Sequence, residues 1–380
     1  VDLGSNSFRL EIGRETHGQI ARVEYLKETV RQGAGLDADR NLSPAALQAG
    51  WECLARFGER LAGFKPRQVR AVATQTLREA RNRDVFLNRA CEILGFPIEV
   101  ISGPEEARLI YLGVSHLLPQ TPERRLVIDI GGRSTELILG KELKPEVMNS
   151  YRVGSVAWSQ KFFTEGVFSA PAFEKARIAA QAILDEALSP YAHDLWDVAY
   201  GSSGTVGAVA DVLEKAGWTP GLIDREGLEW LKRHLIRTGD VDRLHMDGLK
   251  EDRKVVIGGG ISVLDAVMDL LGIEQLHVAQ GALRHGVLFD MLDRESSVAD
   301  VRIQTVARLQ STFGVDVKQG QRVARTARYF LDPLLQGLHS DEARRLQRKV
   351  TWAAQLHELG NAISHSDAHK HGAYILNHAD

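Results

Sequence analysis

Cysteine is almost missing from this chain. Two occur among 380 residues, Cys53 and Cys91, each in a helix-like segment. That excludes a small disulfide-stapled scaffold and gives no metal-ligand spacing. It also suits a reducing compartment, so a cytoplasmic location is expected. Long apolar runs are missing as well: none approaches the roughly 18 residues of a bilayer span, and no charged-then-apolar leader opens the sequence. No integral membrane span is therefore expected. The first residue already stands in a strand-like run, so we expect the native start to be missing. A dominant charge sign is also absent. Forty-seven Lys and Arg against 50 Asp and Glu leave a formal net charge of -3, too small to define a polyanion binder by bulk charge. Nucleic acid is not an expected partner, and affinity for anions has to come from local patches.

What remains is ordinary globular material, 44% hydrophobic and 26% charged. At roughly 150 residues per domain, 380 residues predict two or three domains, each able to bury a core.

The chain repeats itself once. Asp2-Leu-Gly-Ser-Asn-Ser7 returns 127 residues later as Asp129-Ile-Gly-Gly-Arg-Ser134, both reading Asp-apolar-Gly-small-x-Ser. Each copy leads into an alternating strand (Phe8 to Gly13; Thr135 to Gly140), a turn and a further alternating stretch (Ile20 to Val30; Glu146 to Val153). In the first half a helix opens at Ser43-Pro44, an N-cap with Pro at the first helical position. Strands at 69–73 and 98–101 then alternate with helices at 84–94 and 105–118. The second half predicts a helix over 172–188, a strand at 198–200 running through Gly201-Ser-Ser-Gly204 into a helix, and a strand at 255–257 ending in Gly258-Gly-Gly260. The expected order is βββαβαβα, twice: an α/β fold of two lobes, 1–109 and 110–292, with ligands at the strand ends between them. Beyond about Asp293 strand signals stop and helical periodicity rich in Arg, Leu and Ala takes over. A separate all-helical domain is expected over 293–380, incomplete at its C-terminus. Between 301 and 350 it holds ten Lys or Arg against four Asp or Glu, a local basic surface.

A Gly-rich turn between strands lets backbone N–H groups converge on an anion, since glycine reaches unusual φ values cheaply and carries no side chain. Two such turns facing each other make a phosphate clamp. Each begins with an aspartate at a strand end, Asp2 or Asp129, as a phosphate site needs for Mg²⁺ or for orienting water. Asp129 and Glu136 lie seven residues apart across the second turn and can approach one cation, although an alternating strand could also send Glu136 to solvent. Glu105 and Glu106 open a helix just after a strand, where one carboxylate can project into the cleft.

Four runs carry a resemblance: Val1-Asp-Leu-Gly-Ser-Asn-Ser-Phe8, Ala73-Thr-Gln-Thr-Leu-Arg78, Ile101-Ser-Gly-Pro-Glu-Glu-Ala-Arg108 and Val127-Ile-Asp-Ile-Gly-Gly-Arg-Ser-Thr-Glu136. In this order they closely resemble the exopolyphosphatase and guanosine pentaphosphate phosphatase family, part of the actin, Hsp70 and sugar kinase superfamily. Gly201-Ser-Ser-Gly-Thr205 and Gly258-Gly-Gly-Ile-Ser262 are similar to its later loops. Trp352-Ala-Ala-Gln-Leu-His-Glu358 with His365-Ser366 is similar to its helical, HD-like domain. The resemblance implies duplicated ribonuclease H-like, actin-like lobes and a Mg²⁺-dependent hydrolase, with a monovalent cation such as K⁺ as a further cofactor. The reaction it implies is release of terminal orthophosphate from inorganic polyphosphate, or hydrolysis of pppGpp by the same machinery, in a homodimer. It makes Glu106 the general base. Asp129, Glu136 and Asp2 become the metal ligands. Gly4, Ser5, Asn6, Ser7, Arg9, Arg78, Gly131, Gly132, Arg133, Ser134 and Thr135 become the phosphate-binding set. A sugar kinase and a catalytically silent polyphosphate sensor stand as rivals; the Glu-Glu-Ala-Arg helix favours water as the acceptor.

One departure stands out. The family pattern usually has a third glycine where this chain has Arg133. If that position needs φ > 0, a side chain costs about 1 kcal/mol and crowds the phosphate; otherwise its guanidinium contacts the phosphate chain. We expect Arg133 to be tolerated and to face the substrate. In the helical domain His357, Glu358, His365, Asp367, His369 and His371 invite a metal reading. The spacing is not His-Glu-x-x-His, because Asn361 takes the last position, so a structural or anion-facing role is expected. Arg322, Arg325 and Arg328 recur near one helical face, either a solvated face or a guide for a polyanion.

Overall fold

The structure is a computed structural model that describes residues 1–16, 19–295, 301–336 and 340–378. It divides into two units, Val1–Met291 and Leu292–Asp380.

The first unit holds two sheets. β1 (Asp2–Leu3), β2 (Phe8–Thr16) and β3 (Gln19–Glu28) form an antiparallel meander. After α1 (Pro44–Arg60), β4 (Ala71–Ala73) joins parallel to β1. α2 (Gln75–Glu79) and α3 (Arg83–Leu94) lead to β5 (Ile98–Val100), and the sheet order is β3-β2-β1-β4-β5. α4 (Gly103–Ser115) carries the chain to the second sheet. There β6 (Arg124–Ile130), β7 (Thr135–Lys141) and β8 (Lys144–Tyr151) repeat the meander. α5 (Ser155–Phe162), α6 (Ala170–Leu184), β9 (Val198–Ser202), α7 (Ser203–Lys215), β10 (Leu222–Asp224), α8 (Arg225–Thr238), α9 (Glu251–Leu270), β11 (Gln275–Val278) and α10 (Leu283–Glu295) follow, giving the order β10-β11-β9-β6-β7-β8. The duplication predicted from the two Asp-x-Gly runs is visible as two meanders, each continued by parallel strands.

Two findings correct the expected element list. The second half contains the extra strands β10 and β11. Gly258-Gly-Gly260 does not end a strand but lies buried inside α9. A Cβ on Gly259 would stand 2.4 Å from the Ser155 carbonyl oxygen and the Ser159 nitrogen of α5. These glycines let two helices touch, and the Gly259 N–H donates to Ser159 Oγ at 3.0 Å. The expected lobe boundary at 109/110 falls in the middle of α4.

α4 starts where it does because Ser102 caps it, its Oγ accepting from Glu105 N at 3.3 Å, with Pro104 in the first turn. It is not an outer helix. Its Leu109, Ile110 and Tyr111, with Leu283 and Val287 of α10, form an apolar layer shared with Val72 of β4 and with Val127 and Ile138 of the second sheet. The two helices are thus sandwiched between the sheets. Outer cores close each lobe from the other side, one around Phe8, Phe57 and Phe86, the other around Ile128, Leu137 and Leu264. Truncating a fully buried phenylalanine such as Phe57 to Ala is expected to cost about 3–5 kcal/mol.

Strand alternation then aims the acids. Asp2 pairs in register with Val72, and Asp129 stands two residues from Val127, so both carboxylates leave the sheets on the face that looks toward the other lobe. Leu3 and Ile130, one residue on, point into the outer cores.

The second unit contains α11 (Val301–Thr312), α12 (Val317–Leu331), α13 (Ser340–Gln355) and α14 (Ala368–His378). They pack around Val306, Leu309, Leu356, Leu359 and Ile375. Among the described residues no helix is long and apolar enough to cross a membrane.

Candidate active site

The two Asp-x-Gly turns open into one cavity of about 320 Å³ between the lobes. Asp2, Arg9 and the whole of Gly4–Ser7 line it from the first lobe; Asp129, Gly131, Gly132 and Ser134 line it from the second, and Glu106 reaches it from the first turn of α4. Gly132 and Ser5 meet at the contact of the loops, where a Cβ on Gly132 would come within 2.9 Å of the Ser5 Cβ. The glycines are required by that closeness rather than by backbone angle. Gly4, Gly131, Gly132 and Arg133 all have ordinary φ, which corrects the expectation that φ > 0 dictates them.

Four expected residues do not line the cavity. Thr135 turns inward, its Oγ1 donating to Val153 O at 2.6 Å. Glu136 lies buried behind Asp129, its register partner; its Oε1 accepts from Ser150 Oγ at 2.7 Å and its Oε2 has no hydrogen-bond partner among the described residues. Arg78 holds Glu106 from behind, Nη1 to Oε2 at 2.7 Å. Arg133 crosses to the other lobe. Its Nε and Nη2 donate to Glu79 Oε2 at 3.0 and 2.8 Å, and its Nη1 to Gly33 O at 3.0 Å. This side chain is tolerated by leaving the phosphate loop sideways, so the expectation that it faces substrate is corrected: its donors are taken by Glu79 and Gly33.

The acids are strongly perturbed. Burial pushes Glu106 up to about 7 against the pull of Arg78, with the negative charges of Asp129 and Asp2 adding to the rise. Burial likewise raises Asp129 to about 6, opposed by Ser202 and the Arg9 cation. Glu136 is pushed well above the carboxylate range, first by burial and then by Glu106 and Asp129. Glu105 plays a different part: it pairs with Arg108 at 2.7 Å, and its Oε1 lies 3.5 Å from Arg70.

A crowd of buried carboxylates with an orphaned oxygen on Glu136 is a hard-oxygen donor set short of positive charge, and it suits a Mg²⁺-type ion. Among the described residues no three His, Cys, Asp or Glu side chains form a ready-made metal cage. An ion that takes one or two carboxylates and completes its shell with water and substrate phosphates needs none.

Basic residues line the rest of the cavity: Lys27, Lys250, Arg253 and Arg284 join Arg9. Sequence reasoning missed these four, because Lys27 of β3, Lys250 and Arg253 at the start of α9, and Arg284 of α10 are far apart in the chain and belong to no motif. Ser203, Gly204 and Thr205, noticed only as a motif, also line the wall. A Cβ on Gly204 would meet Arg253 Nη2 at 2.2 Å, so glycine makes room for the guanidinium. Ser203 has φ +94°, a left-handed value costing about 1–3 kcal/mol in a residue other than glycine.

In the helical unit, His365, Asp367 and His369 are exposed and form no metal cluster with their neighbours among the described residues. His357 Nδ1 lies 2.7 Å from Ala354 O. The side chain of His378 lies outside the described residues. Arg322, Arg325 and Arg328 are exposed on α12.

Two sheets that each continue a meander with parallel strands, closing paired Gly-Ser loops over buried acids, define an actin-like two-lobed fold. The chain belongs to the Ppx/GppA phosphatase family, whose model matches residues 12–295; the model for Ppx/GppA phosphatase domain III matches residues 301–380. Solved structures share the fold. An exopolyphosphatase-like protein is 24% identical with a TM-score of 0.70, covering 76% of this chain and 95% of its own. An exopolyphosphatase from Cytophaga hutchinsonii is 23% identical with a TM-score of 0.69 over 77% and 96%. The Aquifex aeolicus Ppx/GppA family member is 24% identical with a TM-score of 0.64, again over 77% and 96%.

Proposed function

We propose that this chain is an exopolyphosphatase that removes terminal orthophosphate from linear inorganic polyphosphate. The observation that carries the reading is the single cavity in which both Gly-Ser loops, Glu106 and five basic side chains meet. A long polyanion needs that row of cations beyond the reacting phosphate. The aromatic ring on the wall, Tyr25, already has Arg284 over its face, 5.2 Å from the centroid.

In this reading loop amides and the hydroxyls of Ser5, Ser7 and Ser134 hold the terminal phosphate, and Arg9 adds positive charge beside it. Glu106 takes the proton from a water whose oxygen attacks the terminal phosphorus. The bond to the bridging oxygen breaks, leaving orthophosphate and a chain one unit shorter. Arg78 fixes Oε2 of Glu106, while Oε1 carries no hydrogen bond among the described residues and is available to the water. A carboxylate raised to about 7 is matched to proton transfer near neutral pH. Asp129 and Asp2, which line the cavity, would hold Mg²⁺ with Glu136 as a further acid behind Asp129, and the ion would supply neutralisation of the phosphate charge.

Hydrolysis of pppGpp is the second reading. Gly207, where a side chain would meet open space, and Ala208 leave room on the cavity wall for a guanosine group. Phosphate release in Mg²⁺ from long polyphosphate and from pppGpp, measured side by side, tests both. We expect polyphosphate to be the better substrate. A higher kcat/KM on pppGpp would select the second reading, and turnover of neither, with intact fold and binding, would leave a sensor.

A further inference from the structure

The side chain that departs from the motif is joined to the proposed base by an unbroken run of hydrogen bonds. Arg133 binds Glu79 Oε2 in a fork, and the pair is shielded, with side-chain exposures of 19% and 11%. The other Glu79 oxygen, Oε1, accepts from Gln75 Nε2 at 2.6 Å. The opposite end of that amide, Gln75 Oε1, accepts from Arg78 Nε and Nη2 at 3.0 and 2.6 Å. This occupies one edge of the Arg78 guanidinium and leaves Nη1 to donate to Glu106 Oε2 at 2.7 Å and to Ile101 O at 2.9 Å. Gln75, Arg78 and Glu79 all stand on the five-residue helix α2, so the run has little freedom to bend.

Each link is used at both ends, and the amide of Gln75 satisfies both partners in one orientation only. The run also crosses between lobes, since Arg133 belongs to the second phosphate loop and α2 to the first sheet. Arg133 is fixed at its base as well: a Cβ on Gly154 would fall 2.5 Å from the Arg133 nitrogen, and one on Gly33 3.0 Å from the Arg133 Cδ. We infer that Arg133 is a positioning residue, an interlobe latch that aligns Glu106 through Glu79, Gln75 and Arg78 only while the two phosphate loops are closed on each other. The inference rests on the proposed role of Glu106. It assigns to Arg133 a task that a third glycine could not perform, and predicts that the departure from the motif is used by this chain.

The test compares Arg133→Met, Glu79→Gln, their double variant and Arg133→Lys in Mg²⁺-supported phosphate release from long polyphosphate. A latch that only orients the base lowers kcat by about tenfold in Arg133→Met, with KM within about threefold of the parent. The double variant is expected to be no worse than the more damaged single variant, because both break the same run. Arg133→Lys, which keeps a charge for Glu79, is expected to regain most of kcat. A rise in KM at unchanged kcat, additive losses in the double variant, or parental kinetics in Arg133→Met would overturn the inference. Hydrogen exchange on the substrate-free proteins is the readout independent of turnover. In Arg133→Met, and in Glu79→Gln should the first fail to fold, amides of 75–79 and 131–134 are expected to exchange faster together. Unchanged protection of 75–79 would sink the latch. If the parent protein released no phosphate from any substrate while this exchange pattern held, the functional reading would fail and the latch would stand.

Discussion

The two phosphate hairpins are one structure with two chemistries. In each, a Cβ on the first glycine would stand 3.0 Å from the carbonyl oxygen of the serine three residues on, Ser7 for Gly4 and Ser134 for Gly131. In each the aspartate faces the residue seven positions later across the ladder. Opposite Asp2 that residue is Arg9, which donates to it at 3.1 Å; opposite Asp129 it is Glu136. One ladder pair is therefore neutralised internally, and the other sets two carboxyl groups side by side, each pushed above its ordinary pKa first by burial. The geometry occurs twice, and in the proposed reaction this one difference in charge assigns anion holding to the first hairpin and cation holding to the second.

The comparison can be broken in four ways. The largest effect is expected at Glu106, which is raised by burial and then by the acids of both hairpins: Glu106→Gln keeps the fold and loses at least about 100-fold in kcat, measured as phosphate release beside a thermal melt. Near-parental turnover would remove it from the mechanism. Next, Glu136→Arg makes the second hairpin copy the first, and is expected to raise the Mg²⁺ concentration for half-maximal rate by about 10- to 100-fold; an unchanged Mg²⁺ titration would show that the acidic pair does not hold the ion.

The third is a matter of pH. Burial raises folded Glu106 to about 7 and Asp129 to about 6, above the ordinary carboxylate values of 4.5 and 3.8. The folded protein therefore binds more protons than the unfolded chain between these limits. The stability these groups contribute is present below about pH 4 and is lost as pH rises through 6 to 7, a change on the order of 3 kcal/mol for each group without metal. Added Mg²⁺ is expected to raise the melting temperature more at pH 8 than at pH 5, and an equal rise at both would contradict the charge imbalance. The smallest effect is at the seam between hairpins. Gly132→Ala presses on Ser5 and is expected to cost about 1 kcal/mol or somewhat more, relieved by Ser5→Gly in the same chain; thermal unfolding of the three proteins measures it.

Much of this was legible in the chain. The repeated Asp-x-Gly run announced two lobes because a strand-turn-strand of fixed length can be read locally, and Glu105-Glu106 announced a helix opening with acids just after a strand, whose Ser102 cap the structure added. What failed were readings in which glycine means a break. Gly258-Gly-Gly260 sits inside a helix because a neighbouring helix requires contact without side chains, and nothing within twenty residues reveals that neighbour. The same holds for the cavity wall: Lys27 of β3, Lys250 and Arg253 at the start of α9, and Arg284 of α10 come from three distant elements, and only the closing of the sheets around α4 and α10 brings them together.

By itself, then, the order of residues determined the duplicated hairpins, the capped helix that starts beside Glu106, and the helical character of the last 80 or so residues. These are short-range matters of alternation, capping and turn chemistry. Tertiary structure alone decided that Arg133 leaves its loop for Glu79, that Glu136 is buried with one oxygen unpartnered among the described residues, and that Glu106 rises to about 7. Burial and the distance between charges set those outcomes, and both depend on partners far away in the chain.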